Sequence, residues 1–141
     1  MKIPIYQVDA FTNERFKGNP AAVCPLDSWL PDAVMQNIAA ENNLAETAFV
    51  VAAGQNFEIR WFTPTVEVDL CGHATLASAY VLFNELNFAG DQINFISHRS
   101  GPLSVTKNGS ILALNFPVDS LTEAPFKPAF AIGLSQAPRT V

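Results

Sequence analysis

The chain has 141 residues, enough for one domain with a real hydrophobic core. Hydrophobic residues make up 49% of it and charged ones 15%, a balance that excludes a disordered polyelectrolyte. A net charge of -5 without any cluster of lysine or arginine leaves no electrostatic footprint for nucleic acid, and no apolar run is long enough to span a bilayer.

Met1-Lys2-Ile3-Pro4 leads directly into a β-rich stretch, residues 3–11, with no apolar signal segment before it. Two cysteines, Cys24 and Cys71, read as free thiols in such a chain, so a soluble, cytoplasmic protein is expected. Thr12-Asn13-Glu14-Arg15 reads as a loop and Gly18-Asn19-Pro20 as a tight backbone element, followed by a short strand over 21–24.

Ser28-Trp29-Leu30-Pro31-Asp32 predicts a helix start, since proline and an acid suit a first turn whose donors are free. Val34, Met35, Ile38 and Ala39 share one side of that helix, with Asp32, Gln36 and Glu41 opposite and Asn42-Asn43 as its end. A strand over 47–51, a turn at Gly54-Gln55-Asn56 and a strand over 57–63 follow, with Phe57, Ile59 and Trp61 on one face. The run from Leu76 to Phe83 has almost no polar face and predicts a buried helix, beginning near Gly72 and reaching about Leu86. Strands are expected over 92–97 and 103–107, the latter turning through Asn108-Gly109 into 111–114. From Ala124 onward, Pro125, Pro128 and Pro138 interrupt any periodicity, as in a connector.

Hairpin-linked strands and one helix apolar all round predict an α+β fold: a curved, mostly antiparallel, barrel-like sheet wrapped around a central buried helix. The first turn of that helix offers free N–H groups and a partial positive charge, a seat for a carboxylate that needs no arginine. Glu46, between a helix and a strand and beside Leu44, Ala48 and Phe49, suits a general acid or base; a solvated loop glutamate fits the same pattern. His73 can orient a substrate, donate a proton or simply pack. Cys71 is a possible thiol nucleophile or a small buried hydrophobe. Asn19 offers an amide to a ligand or bridges its own turn. A Cys71/His73/His98 metal site lacks zinc-like spacing, and Glu67 and Asp69 are potential acidic partners of Glu46.

Read together, Gln7-Val8-Asp9-Ala10-Phe11-Thr12, Gly18-Asn19-Pro20-Ala21-Ala22-Val23, residues 43–50, Arg60-Trp61-Phe62-Thr63-Pro64 and residues 67–75 resemble the PhzF-like phenazine-biosynthesis proteins, in the same order. The resemblance implies a diaminopimelate-epimerase-like fold of two similar domains, with the site in the cleft between them. It also implies isomerisation by a proton shift on a small cyclic or unsaturated carboxylate, with neither metal nor organic cofactor. Glu46 matches the family's acid–base glutamate, and Gly72, His73 and Ala74 match the stretch at the substrate; Asn19 matches more loosely. Cys71 resembles one thiol of the related racemases, while Cys24 falls in the wrong segment to be the other. Residues 1–118 correspond to the family's N-terminal domain and 119–141 to a connector, with no counterpart of the second domain. One half alone leaves the cleft open to water, so weak activity and a homodimer are expected; a non-catalytic ligand-binding or interaction domain on the same scaffold is the alternative.

Overall fold

A computed structural model describes residues 2–118, together with 122, 129, 131 and 132. Ten elements follow in chain order: β1 (Tyr6–Ala10), β2 (Asn19–Leu26), α1 (Asp32–Asn42), β3 (Glu46–Ala53), β4 (Asn56–Phe62), β5 (Glu67–Val68), α2 (Gly72–Asn84), β6 (Gln92–Ser97), β7 (Gly101–Asn108) and β8 (Ile111–Asn115). The expected α+β architecture is present: one sheet, ordered β1-β2-β3-β4-β6-β7-β8 with β5 on β4, curls around α2. The connector assigned to 119–141 lies almost wholly outside the described residues.

Most strand pairs are antiparallel, but β2/β3 and β4/β6 are parallel. A parallel pair needs a crossover, and each crossover here carries a helix. Because α1 and α2 lie on opposite faces of the sheet, the period-2 alternation of the strands sorts side chains into two cores. Val23, Ala48, Val50, Ile59, Trp61, Phe95 and Val105 face α2. Cys24, Phe49 and Phe62 face Met35 and Ala39 of α1, and the Phe49 and Phe62 rings meet edge to face at 5.5 Å. Val34 is more exposed than its helical spacing suggested, since α1 covers the sheet with a narrow stripe.

β2 runs longer than expected at both ends, prolines included. β3 pairing begins opposite Ala21, so Pro20 faces only β1; β1 pairing ends at Val23, so Pro25 faces only β3. Each proline therefore sits where a missing N–H is tolerated. Asn43 ends α1 with φ 50°, its N–H bonding the Ala39 carbonyl at 3.2 Å, as a left-handed cap does. α2 stops at Asn84, short of Leu86, whose N–H turns back to the Val81 carbonyl at 3.0 Å. The β7/β8 loop is Gly109-Ser110, one residue beyond the Asn-Gly pair, because Asn108 pairs with Ile111.

The sheet does not close. Its outer strands β1 and β8 both touch α2, and between them lies a groove of about 690 Å³ floored by Leu76, Ala77 and Tyr80 of the helix.

Candidate active site

The parallel register of β2 and β3 sets Ala21 beside Glu46, the first residue of β3. With Ala48 and Val50 turned toward α2, alternation turns Glu46 to that face as well. β5 then carries the chain back along β4, and Cys71, extended at φ -144° and ψ 114°, delivers it into α2. These two routes converge. The Glu46 carboxylate Oε2 lies 3.2 Å from His73 Nε2, and the Cys71 Sγ lies 3.4 Å from His73 Nδ1.

The imidazole is thus held between a thiol and a carboxylate on its opposite nitrogens. Burial pushes the Cys71 thiol up to about 12; the nearby Ala74 and His73 amides pull the other way, and the Glu46 carboxylate adds to the rise. A protonated thiol can donate its S–H to Nδ1, which in the neutral ring puts the hydrogen on Nε2, or to the Glu46 carboxylate, which is also within its reach. The Nε2 group is buried and, at 3.2 Å from Glu46, still lacks a hydrogen bond of good alignment. With the hydrogen on Nε2, it is a donor waiting for an acceptor.

The backbone supplies more donors. No side chain caps α2, and its first internal hydrogen bond runs from the Thr75 N–H to the Cys71 carbonyl. The amides of His73 and Ala74 lie toward the Cys71 sulfur, with the positive end of the helix dipole behind them. Gly72 is needed here for space rather than for an unusual φ. A Cβ at that position would stand 3.0 Å from Cε2 of Phe116.

Glu46, Cys71 and His73 bring their ligand-type atoms within 4.8 Å of one another. The two short contacts use opposite ring nitrogens, however, so a single ion cannot replace both. Ala74 is fully buried; only its backbone can serve a ligand. Asn19 opens β2 on the same face as Ala21, yet among the described residues no hydrogen bond ties its side chain to Glu46 or His73. Cys24 is buried in the other core, its thiol also pushed up to about 12 by burial, and both cysteines are free.

The Cys71/His73/His98 grouping that the spacing disfavoured does not form: His98 is half exposed, 3.6 Å from Glu67. The two potential acidic partners of Glu46 are engaged elsewhere. Glu67 is not an acidic partner of Glu46, because Arg60 holds it through Nε and Nη2 at 2.7 Å each, with Arg99 adding 2.9 Å. Asp69 pairs with Arg99 at 3.0 Å. Arg60 lies seven residues from Glu67, across the β4/β5 pairing, whereas Arg99 lies about thirty residues on and is brought in by the β6–β7 turn. Phe116 was likewise missed: nothing in the local sequence links it to Gly72.

The family described as phenazine biosynthesis-like protein matches residues 8–133. The chain belongs to the phenazine biosynthesis-like family. An uncharacterised isomerase of Pseudomonas aeruginosa is 58% identical over 117 residues, covering 83% of this chain and 45% of that protein. A human phenazine biosynthesis-like domain-containing protein is 44% identical over 126 residues, 84% of this chain and 43% of its own. A PhzF-family crystal structure from Enterococcus faecalis superposes with a TM-score of 0.88 at 53% identity, covering 99% of this chain and 54% of that one. The chain thus spans about half the length of these relatives. Among the described residues no helix is long and apolar enough to cross a membrane.

Proposed function

We propose that this chain is one half of a cofactor-independent isomerase that moves a proton on a small cyclic or unsaturated carboxylate. The observation that carries the reading is the Glu46 carboxylate 3.2 Å from His73 Nε2, at the uncapped start of a buried helix. The relative from Pseudomonas aeruginosa, named an isomerase, supports the reaction class.

In this reading the substrate carboxylate accepts hydrogen bonds from the first-turn amides near Gly72, His73 and Ala74. Glu46, as carboxylate, takes a proton from carbon next to the unsaturation. The electron pair shifts along the conjugated system, and a proton returns at its far end, from Glu46 or a second acid. His73 Nε2–H stabilises the charge that develops between the two steps. Cys71 holds the histidine tautomer and does not attack. The reaction needs no metal or organic cofactor, and the protein acts in the cytoplasm.

The chain spans about half the length of its relatives, and turnover by these 141 residues taken alone is expected to be weak, since an open cleft admits water. Glu46→Gln in a two-domain form should abolish turnover and solvent-deuterium incorporation while leaving the fold intact. Retained turnover in that variant removes Glu46 from the role.

A second reading, a ligand-binding or interaction module, draws on exposed Phe11, Tyr80 and Ile111 around the open groove. Such a surface also favours association of two copies. Carboxylate binding without any turnover in the two-domain form is the result that would favour it.

A further inference from the structure

We infer that Phe11 is a specificity-determining residue: its ring forms one wall of the site and selects substrates with a flat, unsaturated face. The inference rests on the reading of Glu46 and His73 as the groups that meet the substrate.

Phe11 follows the last residue of β1 and adopts φ 64°, the left-handed region that a bulky side chain avoids. The residue is 70% exposed and belongs to neither core. Strain without burial is hard to account for by stability alone, and strained residues cluster where a site needs them. The exposed ring is aimed at the chemistry. Its centroid lies 6.5 Å from that of His73 at an interplanar angle of 53°, among the loosest of aromatic contacts, which leaves ring surface free for a third partner.

The loop holds this ring in place. At Gly18, with φ 79°, a Cβ would collide with the Ala10 carbonyl oxygen and stand 2.7 Å from Thr12 Cγ2. The returning chain therefore lies directly beneath Phe11. Thr12 Oγ1 accepts a hydrogen bond from the Glu14 N–H at 3.0 Å and closes the turn. Phe116 stands against Gly72 of the same turn. Two aromatic rings thus border the first turn of α2, Phe11 from the end of β1 beside His73 and Phe116 from just past β8 beside Gly72. Phe16 provides the contrast. It shares φ 64° and is 95% exposed, but makes no aromatic contact with His73.

The test compares benzoate with cyclohexanecarboxylate, equal in charge and similar in size, one flat and one puckered. Binding to the whole 141-residue chain is followed through the amide resonances of Gly72 and His73. The native chain should prefer benzoate by about threefold or more, the range expected of one aromatic contact. Phe11→Gly and Phe11→Leu should both lose that preference, and Phe16→Ala should keep it. Phe11→Gly should not lower Tm, because glycine relieves the left-handed backbone. Persistence of the preference in both Phe11 variants overturns the inference, as does its absence from the native chain or a failure of either probe to move those amides. The catalytic reading fails separately: retained turnover in Glu46→Gln sinks it even where Phe11 selects flat carboxylates, and deuterium exchange dependent on Glu46 survives a failure of the wall.

Discussion

Glu46 Oε2 and His73 Nε2 stand 3.2 Å apart, one on the first residue of a strand and the other on the second residue of a helix. The contact joins the β2–α1–β3 crossover to the β4–α2–β6 crossover, so the site depends on the packing of both.

Gly72→Ala tests how tightly the mouth of α2 is drawn. Alanine is a better helix former than glycine by about 1 kcal/mol. The added methyl would stand 3.0 Å from the Phe116 ring, which must move by a few tenths of an ångström. Little change in Tm is expected, together with at least a fivefold loss of benzoate affinity, measured by titration; unchanged affinity would mean that the ring does not border the ligand.

Glu67 is the anchor of β5. Its side chain is only 10% exposed, and the Arg60 guanidinium, first through its hydrogen bonds, holds the carboxyl below the usual range. Glu67→Gln leaves Arg60 partly uncompensated and should cost about 3 kcal/mol, read by urea denaturation. The sign of the pH dependence follows from the depressed value. The contribution is fully present above the unfolded glutamate pKa and is lost as pH falls through the lower folded one. The wild-type chain should therefore lose stability with a proton-coupled slope below about pH 4.5, and Glu67→Gln should lose part of that slope.

Both thiols should be inert at neutral pH in the folded chain. Burial pushes Cys24 and Cys71 up to about 12, so the reactive thiolate is scarce. A chromogenic disulfide reagent should react with them only on the timescale of unfolding, and fast labelling of Cys71 at pH 7 would contradict the tautomer assigned to His73. Because the folded values are raised, the thiols favour folding fully below the unfolded pKa of about 9.0, and that contribution is lost as pH rises beyond it.

What the sequence by itself determined was local. Alternation marked a strand over 57–63, seen as Asn56–Phe62, an all-apolar run marked α2 as the central helix, and Asn42-Asn43 marked the end of α1. These are one-dimensional signals, since period, capping and side-chain class act within a few residues. Tertiary structure decided who meets whom. It gave Glu67 to Arg60 and not to Glu46, sent His98 away from Cys71, placed Phe116 against Gly72 and turned Phe11 toward His73. The Arg60–Glu67 pair depends on the β4/β5 register, and the others on crossovers between residues far apart in the chain; a short window of sequence carries no record of either.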